Sequence, residues 1–130
     1  MKVLVIDDDD IARELVVSTL TRAGHEVLEL PSAIGATKVI YGSDVDAVVL
    51  DVMLPDIDGD KLARVLRQNS RGKHLAIVLV SSRSTEELEL LAYSAKADAV
   101  VNKREIRQRL ASVVAAAHVA RRKAQANTGT

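Results

Sequence analysis

Three short, unbroken apolar runs most narrow the folds open to this chain: Val3-Leu4-Val5-Ile6, Ala47-Val48-Val49-Leu50 and Ala76-Ile77-Val78-Leu79-Val80. They are rich in β-branched residues and lack polar alternation, as expected of strands buried on both faces of a parallel sheet. Val27-Leu28-Glu29-Leu30 and Ala99-Val100-Val101 are weaker versions. Between the runs lie segments with helical spacing: Ile11, Leu15, Val16 and Leu20, ending at Gly24; Ile34 to Tyr41, ending at Gly42; then Leu62, Val65 and Leu66. Leu88, Leu91 and Ala92 follow, and last Ile106, Leu110, Val113, Val114 and Ala117. Strand and helix alternate throughout, which predicts an α/β fold: an open five-stranded parallel sheet, doubly wound, with helices on both faces and a single domain.

Local signals mark the element ends. Ser32 before Ala33, and Ser84 or Thr85 before Glu86-Glu87, are predicted N-caps. Arg121-Arg122-Lys123 is expected to close the last helix at about Lys123, leaving Ala124 to Thr130 as a frayed tail. With 130 residues, 48% of them apolar, the chain has room for one domain and its core. It has no cysteine, so a metal ion would have to be held by carboxylates, carbonyls or histidine. Histidines 25, 74 and 118 have no ligand-like spacing and read as surface or helix-edge residues. No stretch reaches transmembrane length and the start lacks a signal-peptide pattern, so the expectation is a cytoplasmic protein with no membrane partner.

The formal charge is zero, which argues against direct nucleic-acid binding. The charges are nevertheless sorted along the chain. Residues 1–60 carry four basic against thirteen acidic side chains, and residues 61–130 carry fourteen against five. Most of this is expected to be solvated surface that folding intermixes.

In an open parallel sheet, ligand sites form beyond the carboxyl ends of the strands. Those ends carry Asp7-Asp8-Asp9-Asp10, Asp51, Ser81-Ser82 and Asn102-Lys103. Each alone has a plain structural explanation, such as Asp9 or Asp10 capping the next helix. Gathered at one edge, two or three carboxylates repel, so they raise a pKa or bind a hard divalent cation such as Mg²⁺. An Asp beside such a cation and an ammonium can attack a phosphoryl group, with hydroxyl and N–H donors holding the phosphoryl oxygens.

Four ordered segments carry a resemblance: Val3 to Asp9, Val48 to Gly59 with its Leu50-Asp51-Val52-Met53-Leu54-Pro55-Asp56 centre, Val78 to Ser82, and Ala97 to Lys103. Over about residues 2–118 the chain resembles response-regulator receiver domains of two-component signalling, which have a flavodoxin-like fold. The resemblance implies that Asp51 accepts the phosphoryl group. It implies that Asp7, Asp8, Asp51 and the Met53 carbonyl hold Mg²⁺, and that Ser81 and Lys103 bind the phosphoryl oxygens. Pro55 and Gly59 would shape the loop after Asp51, Gly59 by permitting positive φ, while Asp56 and Asp58 read as turn or cap residues. The receiver would occupy residues 1–120, with residues 121–130 a basic helix end and flexible tail. The expected partners are a histidine kinase or phosphotransfer protein, a downstream protein or an output domain, and a second copy through the fourth helix, fifth strand and fifth helix. The chemistry is self-modification, so no enzyme acting on an external substrate is expected.

The chain departs from the family pattern in places. Arg104 replaces the usual proline, so a trans bond and a displaced Lys103 are expected. Val100 stands where the family has a switch aromatic, and Lys96 where it often has glycine. Two alternatives remain open here. One is a degenerate receiver that binds partners without phosphorylation. The other is a haloacid-dehalogenase-type phosphohydrolase with Asp7 as nucleophile and Asp9 as acid/base.

Overall fold

The computed structural model describes residues 1–69 and 72–128. Its strands are β1 (Lys2–Ile6), β2 (Glu26–Leu30), β3 (Ala47–Asp51), β4 (Ala76–Ser81) and β5 (Ala99–Asn102). They alternate with α1 (Asp10–Arg22), α2 (Ala36–Gly42), α3 (Gly59–Gln68), α4 (Thr85–Ala95) and α5 (Ala111–Thr128). All the strands are parallel, in the order β2-β1-β3-β4-β5. The expected doubly wound sheet is therefore present. Chain direction across the sheet reverses between β1 and β3, so the loops leaving those two strands diverge and open a crevice at their carboxyl ends.

The unbroken apolar runs are explained by the two-sided core. Side chains alternate across a strand, so Leu4, Ile6, Val48, Leu50, Ile77 and Leu79 pack under α2, α3 and α4. Val3, Val5, Val49, Val78, Val80 and Val101 pack on the other face with Val16, Leu20, Ile106, Leu110 and Val114. The β2 edge exposes Glu26 and Glu29, charges that discourage pairing with another sheet.

Several boundaries differ from the sequence expectation. Helix α2 starts at Ala36 rather than near Ile34, because Gly35 takes a left-handed conformation (φ 82°) and Ser32 Oγ accepts only from Ile34 N–H in the preceding turn. Ile34 is left exposed. Ser84 caps α4, accepting from Glu87 N–H at 3.3 Å. Lys103–Glu105 form a 3₁₀ turn and Ile106–Leu110 a π turn before α5 begins.

Helix α5 then runs past Lys123 to Thr128, so the basic triplet does not end it. Arg121 instead reaches inward: its Nε meets Asp98 Oδ1 at 2.5 Å and its Nη1 meets the Lys73 carbonyl at 3.3 Å. Asp98 also accepts from Arg67 Nη2 (3.0 Å) and Ile77 N–H (2.8 Å). This half-buried hub ties α3, β4, the turn before β5 and α5 together at the amino end of the sheet.

Candidate functional site

Among the described residues, the buried polar side chains are Asp7, Asp51, Ser81 and Asn102. All four stand at or just beyond the carboxyl ends of β1, β3, β4 and β5, on the same edge of the sheet. Parallel register brings them there: Ile6 pairs with Leu50, Asp51 with Val80 and Ser81 with Asn102. Burying carboxylates costs stability unless they are partnered, so such a concentration marks a site.

The partners are short-range. Asp7 Oδ1 accepts from Asp9 N–H at 2.9 Å, and Asp51 Oδ1 accepts from Met53 N–H at 3.2 Å. Their Oδ2 atoms share one ammonium, Lys103 Nζ, at 3.3 Å from Asp7 and 3.4 Å from Asp51. Burial pushes the Asp51 carboxyl above the usual range; the Met53 N–H opposes this, the Asp7 charge adds to it, and Lys103 again opposes it. Burial disfavours the Lys103 ammonium, but Asp51 and then Asp7 more than offset that, so its pKa is raised. The cluster holds its lysine charged and the Asp51 carboxyl harder to ionise than a free one.

The described residues contain no cis peptide bond, as Arg104 led one to expect, yet Lys103 is not displaced from the carboxylates. Asn102 gives the reason. Its Oδ1 accepts from Arg104 N–H (2.9 Å) and Nε (3.2 Å), which caps the 3₁₀ turn, and its Nδ2 donates to the Arg83 carbonyl (2.9 Å). Sequence reading assigned Asn102 no such task; an Asn directly before a turn is the signal that could have found it. Arg13 was missed too. Its guanidinium donates to the Asp7 carbonyl (2.8 Å), Asp10 (2.7 Å) and Glu29 (3.0 Å), tying the loop after β1 to α1 and β2.

The remaining candidates separate by role. Asp9 caps α1 by accepting from Ile11 N–H. Asp58 stands at the N-cap position of α3 but its side chain makes no capping hydrogen bond, pairing instead with Lys61 at 3.7 Å. Gly59 is not among the glycines with positive φ. It is needed for close approach instead, since a Cβ there would lie 2.2 Å from the Asp51 carbonyl oxygen. Ser81 Oγ accepts from Arg83 N–H (3.2 Å), and the Met53 side chain is exposed with its Sδ 3.3 Å from Arg83 Nη2.

The donor set fits a hard divalent cation. Asp7, Asp8 and Asp51 each offer a carboxylate oxygen, all within 4.8 Å of one another, and oxygen-only ligands of this charge suit Mg²⁺.

The fold and this acidic edge are those of a signalling receiver domain, as comparison with known proteins shows. Residues 3–115 match the response regulator receiver domain family, and the chain belongs to it. The phosphate regulon transcriptional regulatory protein PhoB of Pseudomonas aeruginosa is 30% identical over 116 residues, covering 86% of this chain and 51% of that protein. The transcriptional regulatory protein AfsQ1 of Streptomyces coelicolor is 37% identical over 83 residues, covering 64% of this chain and 36% of the relative. The chain thus spans about half the length, or less, of these curated relatives. A sensor protein from Polaromonas sp. JS666 superposes with a TM-score of 0.82 at 32% identity, covering 92% of this chain and 97% of that one. A response regulator from Chloroflexus aurantiacus gives 0.77 at 30% identity, covering 88% and 97%.

Receiver domains of this family are signalling modules that bind Mg²⁺ at such an acidic pocket and interact with histidine kinases or phosphotransfer proteins. Among the described residues, no helix is long and apolar enough to cross a membrane.

Proposed function

We propose that Asp51 is the phosphoacceptor of a Mg²⁺-dependent two-component switch in the cytoplasm. The observation that carries this is the buried pair Asp7 and Asp51 sharing the Lys103 ammonium at 3.3 and 3.4 Å. In the transfer an Asp51 carboxylate oxygen bonds to phosphorus as the P–N bond of a phosphohistidine donor breaks. The electron pair stays on the imidazole nitrogen, which takes up a proton from solvent. Asp7, Asp8, Asp51 and the Met53 carbonyl would hold Mg²⁺, which supplies charge neutralisation for an anionic donor.

Lys103 stays charged beside the acceptor and orients the phosphoryl group. Ser81 Oγ accepts from Arg83 N–H, which leaves its hydroxyl proton available to a phosphoryl oxygen. The phosphoryl group carries about 1.5–2 negative charges where the carboxylate carried one, and brings strong acceptor oxygens. That change biases the surface of α4, β5 and α5, where Leu90 and Tyr93 are exposed. This surface would meet a downstream protein, an output domain or a second copy of the chain.

The test is intact mass after incubation with Mg²⁺ and a small acyl phosphodonor. One added phosphoryl group, absent in Asp51→Asn, is the expected result. Labelling that persists in Asp51→Asn but not in Asp7→Asn would support the phosphohydrolase instead, and no labelling would support a degenerate receiver.

Neither Met53 nor Arg83 offers a carboxylate or amide to position an attacking water, so autodephosphorylation is slow on this reading. Met53→Asn should shorten the phosphoryl lifetime in a decay assay; an unchanged rate would refute the explanation.

A further inference from the structure

The carboxyl ends of α3 and α4 meet near the starts of β4 and β5, at the edge of the sheet opposite Asp51, and leave a cleft of about 140 Å³. It is lined by Arg64, Arg67 and Gln68 from α3 and by Ser94 and Lys96 from the end of α4. Among the described residues these are cations and neutral polar groups, with no carboxylate. The volume lies below the roughly 300–1,000 Å³ of sites that enclose a whole organic ligand, and suits a headgroup.

The positive charge gathered here is incompletely matched. Arg67 pairs with Asp98, but Asp98 serves Arg121 as well. The Arg67 pKa is lowered by burial first and by the Arg121 charge besides, against the opposing Asp98 charge. Arg64 has only a 3.6 Å contact to Asp60, one turn away on the same helix, a geometry that contributes little in water. Lys96 forms no ion pair among the described residues. Its backbone is nevertheless firmly held: its N–H closes α4 on the carbonyls of Ala92 and Tyr93, and its own carbonyl accepts from Arg67 Nε at 3.1 Å. It takes φ 58°, the left-handed region, where glycine is the unstrained choice. A glycine would end the helix equally well, so the turn itself does not call for an ammonium. Strain kept at a residue whose charge faces a cleft is the pattern of a ligand contact.

We propose that this cleft binds the multivalent phosphate group of a small soluble ligand, with Lys96 Nζ and the Arg64 guanidinium as direct contacts, Gln68 as a neutral donor and Arg67 as the charge behind them. The planar guanidinium fork matches phosphate oxygens two at a time, and charge-assisted hydrogen bonds of this kind are about twice as strong as neutral ones. A multivalent group answers several cations at once, where a lone carboxylate would answer one. Binding makes and breaks no covalent bond. The bound group would tie the carboxyl ends of α3 and α4 together, away from Asp51, so the inference does not depend on Asp51 being the acceptor.

The experiment titrates inorganic pyrophosphate into the full chain by isothermal calorimetry, in metal-free buffer with salt held at about 0.1 M so that long-range attraction is screened. The variants are Lys96→Gly, Arg64→Gln and Asp51→Asn, and citrate is the polycarboxylate control. Lys96→Gly removes the ammonium while relieving the backbone, so it should melt no lower than the unsubstituted chain, and lost binding is then not lost folding. Lys96→Gly and Arg64→Gln are each expected to bind about tenfold more weakly. Asp51→Asn should bind as the unsubstituted chain does, and the ¹⁵Nζ resonance of Lys96 should move on saturation. No binding by the unsubstituted chain, unaltered affinity in both cleft variants, or a loss in Asp51→Asn alone overturns the proposal. Citrate binding as tightly as pyrophosphate overturns the phosphate assignment. Co-sedimentation with phosphatidic acid vesicles, in place of pyrophosphate binding, would assign the cleft to a lipid headgroup and overturn the soluble ligand.

Discussion

The carboxylate of Asp51 is a burden on the fold, because its charged form is buried. Its pKa is raised, so the favourable contribution belongs to the protonated form: it is complete below the ordinary value of about 3.9 and is lost as pH rises through the raised one. At neutral pH Asp51→Asn should therefore raise the melting temperature by a few degrees, measured without Mg²⁺. Lys103 has the opposite character. Its raised pKa means that its contribution is complete below about 10.4 and lost only at higher pH. Lys103→Ala should melt several degrees lower at neutral pH and recover more on adding Mg²⁺ than the unsubstituted chain does; equal Mg²⁺ responses would contradict the shared-ammonium account. Lys96 shows a different residue-level cost. It ends α4 at φ 58°, ψ 34°, the left-handed region, where a side chain is disfavoured by roughly 1–2 kcal/mol. Lys96→Gly should thus stabilise the chain by about 1 kcal/mol in urea unfolding, the glycine's greater freedom when unfolded offsetting part of the gain. This also explains why glycine is the family's frequent choice there.

Among the elements, the ends of the strands are specialised. The carboxyl ends hold the acidic site, and the amino ends hold the Asp98 hub that keeps α3 and α5 in place. Arg67 has only 7% of its side chain exposed and relies on Asp98 as its carboxylate partner. Burial lowers its pKa even though the Asp98 charge opposes this. Asp98→Ala leaves that guanidinium buried without a counter-charge, so a loss of about 3–5 kcal/mol is expected in urea unfolding. Arg121→Ala removes a more exposed partner and should cost about 1 kcal/mol. Equal losses in the two variants would show that burial of Arg67 is not what makes the hub matter.

For the molecule as a whole, acid sensitivity is built in where the start of β1 meets the turn before β2. His25 Nδ1 lies 3.3 Å from the Met1 amino nitrogen. Burial lowers its pKa, with the amino group and His118 adding to the effect. A lowered histidine pKa gives stability that is complete above the ordinary value of about 6.5 and lost as pH falls through the lowered one. His25→Gln should therefore flatten the decline in melting temperature between about pH 7 and pH 5; an unchanged slope would place the acid sensitivity elsewhere. Sequence alone assigned His25 no partner, because spacing along a chain does not report its approach to the Met1 amino group. The same distinction runs through the rest of the protein. Apolar runs with no polar alternation can be covered only by helices on both faces, so the sheet, its five strands and the edge carrying Asp7, Asp51, Ser81 and Lys103 were legible from residue order. Contacts between residues distant in sequence were not: Arg121 with Asp98, Asn102 with Arg83, and Arg83 with Met53 depend on how loops and helices lie once packed. Local backbone geometry was equally hidden, as Gly35, Gly59 and the π turn before α5 show. Burial pattern is a property of each segment and can be read from it, whereas the partner of a polar group is decided only when tertiary packing determines which groups lose their water.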